Sequence, residues 1–153
     1  MNTPPIPLLL VVEDSNEDYK TLLRIFRKLA VVQPVTRCAN ANECFDYLYA
    51  TGKHEGRKVE DLPSLLLLDL NLPGTDGHAI LRQIKAEPSL KHLPIVILTT
   101  STSLKHVQAC YEDGASSYLV KAMDYATYEQ TIRHFVNYWF HAVQLLLPGE
   151  GKP

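Results

Sequence analysis

Three carboxylates close two apolar runs: Glu13 and Asp14 end LLLVVED, and Asp69 ends SLLLLD. An aspartate after four leucines is a costly place for a charge unless something binds it. Two further apolar runs end in complementary groups, with Thr99 and Thr100 following LPIVIL and Lys121 following SSYLV. Carboxylates with no nitrogen or sulfur among them suit a hard cation such as Mg²⁺, which a phosphoryl group often completes. A carboxylate can itself accept a phosphoryl group as nucleophile. A divalent cation and a lysine then neutralise the transferred oxygens, and a hydroxyl hydrogen-bonds to them. Phosphoryl transfer is the chemistry these residue types fit together. Taken singly they have plainer readings, as helix caps or turn-opening acids.

The elements that position these groups alternate regularly. Segments 7–12, 34–39, 64–69, 93–98 and 116–121 are short, rich in Leu, Val and Ile, and bounded by Pro, Gly, Asp or Ser, which predicts strands. The first, third and fourth show no polar alternation, as expected of parallel strands covered on both faces. Helical patterns occupy 15–30, 41–51, 77–86, 103–113 and 124–147. In the first, Ser15 and Asp18 resemble a capping box ahead of the stripe Leu22, Ile25, Phe26 and Leu29. The repeated strand–helix order predicts an α/β fold: a five-stranded, parallel, doubly wound sheet in flavodoxin-like order, with an extended C-terminal helix. In such sheets ligands gather at the carboxyl ends of the strands. That order makes the first and third strands neighbours and brings the three acids to one shallow cleft. Like charges about 4 Å apart repel by roughly 4 kcal/mol at an effective dielectric of 20, so the cluster calls for a cation, shared protons or solvent.

Composition narrows the function classes. The 153 residues, 46% hydrophobic and 21% charged, fit one globular domain, and a net charge of −2 gives no case for nucleic acid or an anionic membrane. The N-terminus lacks a basic signal-peptide region, and residues 135–147 are too few and too interrupted to span a bilayer. Cys38, Cys44 and Cys110 have no disulfide or zinc spacing and read as small buried hydrophobes in a reducing cytoplasm. There is no P-loop or GxGxxG. Residues 52–63 carry six charges without apolar periodicity and read as a solvated or mobile loop. His78 reads as a surface histidine. In the last helix Tyr128, Ile132, Phe135, Val136, Trp139, Val143 and Leu146 make one face, while Tyr138, Phe140, Leu145 and Leu147 lie off it. A second apolar face overlaps the chain's own core, meets a different protein or, as expected here, forms a homodimer through Tyr138, Trp139, Phe140 and Leu145.

The motifs VVEDS, LLLLDLNLPGTDG, PIVILTTS and GASSYLVK, in this order and spacing, resemble the receiver domain of two-component response regulators over residues 6 to about 135. The resemblance implies that Asp69 is phosphorylated and that Asp14 and Asp69 ligate Mg²⁺, with Glu13 direct or through water and Asn71 through its carbonyl. It also implies that Lys121 and the Thr99/Thr100 hydroxyls meet the phosphoryl group, and that Tyr118 is the aromatic switch. The usual proline after the lysine is replaced by Ala122, and a trans bond with a reshaped loop is expected there. With the charged 52–63 loop and long last helix, the chain looks most like single-domain regulators of cyanobacterial phytochrome histidine kinases. A sensor kinase partner, a downstream protein and no enzymatic activity beyond its own phosphorylation and dephosphorylation follow from that resemblance. About 30 residues follow Lys121, too few for an output domain. Two alternatives stay open: a small-molecule phosphatase, which Asn71 two residues after Asp69 disfavours, and a degenerate receiver that binds partners without phosphorylation.

Overall fold

The computed structural model describes residues 6–148. Five strands, β1 (Leu9–Val12), β2 (Val35–Cys38), β3 (Leu65–Leu68), β4 (Ile95–Thr99) and β5 (Ser117–Val120), form one sheet in the order β2-β1-β3-β4-β5. Every pairing is parallel. Helices α1 (Asn16–Lys28), α2 (Ala41–Tyr49), α3 (Gly77–Ala86), α4 (Leu104–Glu112) and α5 (Tyr125–His141) connect and follow them. The predicted flavodoxin-like architecture is the observed one.

The unbroken apolar strands bury both faces. Leu10, Val12, Leu66, Leu68, Ile95 and Ile97 pack against α2, α3 and α4 through residues such as Leu48, Ile80, Leu81 and Ile84. Leu9, Val11, Leu65, Leu67, Val96 and Leu98 pack against α1 and α5 through Leu22, Ile25, Phe26, Ile132, Phe135 and Val136. Alternate residues of one strand thus serve opposite layers, which is why a run such as Leu65–Leu68 carries no polar residue. The three cysteines are free and buried, and burial pushes Cys38 up to about 12 and Cys110 up to about 11, as expected of inert packing residues.

The chain after Asp69 folds back on itself before α3 begins. Asn71–Leu72 pairs antiparallel with Thr75–Asp76 across Pro73-Gly74, where Gly74 takes a φ of +72° that an L side chain rarely adopts. Asp76 then caps α3, accepting the His78 backbone N–H at 3.0 Å. This return lays Gly77 on the acidic strand end, where a Cβ would meet the Asp69 carbonyl oxygen at 2.5 Å and the Leu70 Cα at 2.6 Å.

Four expectations change. The last helix stops at His141 rather than 147; the Ala142 and Val143 N–H groups both donate to the Tyr138 carbonyl, turning the chain so that Leu145 joins the α1/α5 layer. Leu145 is therefore buried and Leu146 exposed, the reverse of a continued helix. Phe140, expected on a dimer face, packs edge-on against Phe26 and Phe135 of its own core, and Trp139 leans on the same layer. Of the four predicted interface residues only Tyr138 is exposed, so the uncovered second face that argued for a homodimer is largely used within the chain. The segment 52–63 contains two short 3₁₀ turns, Gly52–His54 and Val59–Asp61. Arg57 ties it down by donating to the Tyr47 and Leu48 carbonyls at 2.6 and 3.2 Å, capping the end of α2. His78 is buried, its ring against Cys110 and 5.7 Å from the His106 ring.

The close approach at Gly77 is testable. Gly77→Ala is expected to lower stability by about 3 kcal/mol, the upper end for overpacking against unyielding atoms, as a shifted urea midpoint with an unchanged slope. A midpoint within about 0.5 kcal/mol of the parent would mean that the α3 start is not pressed on Asp69.

Candidate functional site

The register of β1 and β3 creates the site. Val12 lies opposite Leu68, so the next residues, Glu13 and Asp69, leave the sheet side by side. The Asp69 N–H donates to the Val12 carbonyl at 3.1 Å, and the Glu13 N–H to the Cys38 carbonyl at 3.0 Å. On the other side of β3, the Lys121 N–H donates to the Thr99 carbonyl at 2.7 Å. Ladder hydrogen bonds therefore continue one residue past β1, β3 and β5 and tie Glu13, Asp69 and Lys121 to the sheet.

Glu13, Asp14 and Asp69 each offer a carboxylate oxygen within 4.8 Å of the others. Glu13 and Asp69 are only 5% and 7% exposed, and Asp14 faces solvent. One ammonium enters this cluster. Lys121 Nζ donates to Asp69 Oδ2 at 2.9 Å, to Glu13 Oε1 in a very short contact, and to Asp18 Oδ2 at 3.0 Å. Burial by itself would pull this lysine down, but its hydrogen bonds to Glu13 and Asp69 outweigh that and push it above its ordinary value. Glu13 is raised, chiefly by burial and further by the Asp69 charge, with Lys121 acting in opposition. Three carboxylates thus share one ammonium with Asp14 beside them, an imbalance that a divalent metal would correct.

The donor set fits such a metal. It is all oxygen, open to solvent on the Asp14 side and close enough for one ion. The free oxygens differ in availability. Glu13 has one oxygen on Lys121 and the other accepting the Ser15 N–H at 3.1 Å, and Asp69 is held the same way by Lys121 and the Asn71 N–H, so the solvent-facing Asp14 carries the most accessible carboxylate. Asn71 lies beside them, its N–H donating to Asp69 Oδ1 at 3.1 Å.

The remaining predicted residues sit around this centre. Thr99 is buried, and its hydroxyl accepts from the Asn71 side-chain amide at 3.3 Å. Thr100 is exposed and lines a cavity of about 280 Å³ beside Lys121. Tyr118 stands farther off, half-buried on the α3/α4 layer, its hydroxyl donating to the Ser101 carbonyl at 2.9 Å. No cis peptide occurs among the described residues, so Lys121-Ala122 is trans, and the lysine still reaches the cluster.

One contributor was missed in the sequence. Arg37, within β2, donates from Nε to the Glu13 carbonyl at 2.9 Å and from Nη2 to the Asp14 carbonyl at 3.0 Å. Its third nitrogen reaches Asn16 Oδ1 at 2.7 Å, and the guanidinium lies over the Tyr19 ring. It rivets the acidic pair from behind. The available signal was a charged residue inside an otherwise apolar strand, VTRC.

Comparison with known proteins agrees with this geometry. The family model for the response regulator receiver domain matches residues 9–133. The chain belongs to the response regulator receiver family. FilR2 of Methanothrix harundinacea is 35% identical over 132 residues, covering 86% of this chain and 83% of that protein. Response regulator Rcp1 of Synechocystis is 30% identical over 141 residues, 92% of this chain and 94% of its own. The Mn²⁺-bound crystal structure of Rcp1 superposes with a TM-score of 0.84, covering 92% of this chain and 99% of that one. The phosphorylated cyanobacterial phytochrome response regulator RcpA, 27% identical, gives 0.83 over 92% and 98%. No helix of this receiver, among the described residues, is long and apolar enough to cross a membrane.

A cation that binds the folded cluster must stabilise it. At a Mn²⁺ or Mg²⁺ concentration one hundredfold above the dissociation constant the gain is about 2.7 kcal/mol, a rise of roughly 5–10 °C in Tm for a chain of this size. Asp14→Ala is expected to abolish most of the rise in a thermal melt. An equal rise in that variant would place the metal elsewhere.

Proposed function

We propose that this receiver accepts a phosphoryl group on Asp69 from the phosphohistidine of a sensor histidine kinase, with Mg²⁺ held by Asp14, Asp69 and the Asn71 carbonyl and by Glu13 through water. The observation that carries the reading is the placement of Asp69 at a rigid strand end, with one oxygen on Lys121 Nζ and the other on the Asn71 N–H. An Asp69 oxygen attacks phosphorus as the P–N bond breaks, and the electron pair leaves with the donor imidazole. Bound Mg²⁺ supplies charge neutralisation for the transferred oxygens. Lys121 donates to those oxygens, already fully charged and already within reach of the nucleophile. The sheet ladder keeps Asp69 from retreating, which is the positioning a phosphoryl acceptor needs.

The response follows from the contacts around Thr99. Its hydroxyl is held by the side-chain amide of Asn71, the residue whose own backbone N–H faces Asp69. A phosphoryl dianion on Asp69 competes for that hydroxyl and draws Thr99 in, and Tyr118, tied to the same β4–α4 loop through Ser101, repacks with it. The α4-β5-α5 face then changes shape, a population shift driven by local charge. A phytochrome-type kinase is the partner we favour, on the similarity to RcpA.

Incubation with acetyl phosphate and Mg²⁺ is expected to give an adduct that survives acid and is lost in base, in near-stoichiometric yield. Asp69→Asn removes it. An equal yield from Asp69→Asn would contradict the assignment.

A further inference from the structure

Asp18 breaks a local rule in a way that points to the site. In the Ser15-Asn-Glu-Asp18 turn the acid three residues after the cap ordinarily reaches back to the cap's own N–H. The first half of that exchange is made, with Asp18 N–H donating to Ser15 Oγ at 3.1 Å. The second half is not. Glu13 Oε2 takes the Ser15 N–H instead, and the freed Asp18 carboxylate crosses to Lys121 Nζ at 3.0 Å. An ammonium has three N–H donors, and those of Lys121 go to three carboxylates, Glu13, Asp69 and Asp18. Asp18 comes from a different element than the two acids it joins, and it lies in the first turn of α1, where the helix dipole favours an anion.

The chain just after Lys121 leaves open space beside it. Ala122 is a small residue, Met123 is fully exposed, and a cavity lined by Asp18, Thr21, Ala122, Met123 and Tyr125 opens beside the lysine. Of the three carboxylates, two change on the reading proposed above, on which this inference rests: Glu13 turns toward the metal and Asp69 becomes an acyl phosphate. Asp18 is the one that stays.

We propose that Asp18 is a positioning residue for Lys121, holding the ammonium over Asp69 from the α1 side while its other two donors pass from Glu13 and Asp69 to the phosphoryl oxygens. Half-exposed as it is, Asp18 adds little to folding, so its removal acts on the reaction rather than on the fold.

The test compares the full chain with Asp18→Asn and Asp18→Glu, measuring the rate of acetyl-phosphate labelling at saturating Mg²⁺ and, separately, Mg²⁺ affinity from the thermal shift. Loss of a positioned charge predicts a rate about tenfold lower for Asp18→Asn, with Mg²⁺ affinity within about twofold of the parent and most of the rate restored in Asp18→Glu. A rate for Asp18→Asn equal to the parent overturns the proposal, as does an equal loss in both variants, which would mark a structural role. Failure of the acceptor reading itself shows up separately, as labelling of Asp69→Asn.

Discussion

One ammonium among four carboxylates governs this molecule. Asp69 and Glu13 are nearly excluded from water and side by side, a situation that costs several kcal/mol unless opposite charge is supplied at once. Lys121 supplies it, and its position depends on the Thr99 carbonyl, on Glu13 and on Asp18. The apolar strands beneath cannot relax to separate the acids, since β1 and β3 are locked in register and buried on both faces. Arg37 adds a second cation behind the backbone of the acidic pair. The fold thus holds negative charge in excess at the carboxyl end of its sheet, an excess that a divalent cation would offset.

The same arrangement explains how a change at one atom can reach a surface. Asn71 touches Asp69 with its backbone and Thr99 with its side chain. Thr99 ends β4, and the loop beyond it carries Ser101, which meets both the Tyr118 hydroxyl and the His106 ring. Each of these links is a single hydrogen bond, and on the proposed function a charge change at Asp69 would be passed along them as a local exchange of partners.

Much of this could be read in the residues beforehand, for physical reasons. The unbroken run Leu65–Leu68 can only be a strand covered on both sides, and a carboxylate at its end must face the crevice of a parallel sheet. That logic located Asp69, Glu13, Thr99 and Lys121. What escaped it depended on contacts between distant segments. Arg37 has no motif of its own in the sequence, and its role rests on its fork meeting the Glu13 and Asp14 carbonyls of a neighbouring strand end. Asp18 looked like half of a capping box. Leu145 looked like spare apolar surface because helical periodicity was carried past His141, where burying Leu145 on the α1/α5 layer wins over continuing the helix into solvent. His78 looked exposed because a single polar residue after a glycine gives no sign of a neighbouring helix, α4, closing over it.

The central claim is that the acids ending β1 and β3 form one metal-binding phosphoryl-acceptor centre. Crystals grown with Mn²⁺ and beryllofluoride test it directly, by locating the metal through its anomalous scattering. The account predicts a single strong peak at ligand distance from Asp14, Asp69 and the Asn71 carbonyl, with beryllium on an Asp69 oxygen and Lys121 turned to the fluorides. A peak remote from these carboxylates, or beryllofluoride absent from Asp69 while the metal is bound, would contradict it.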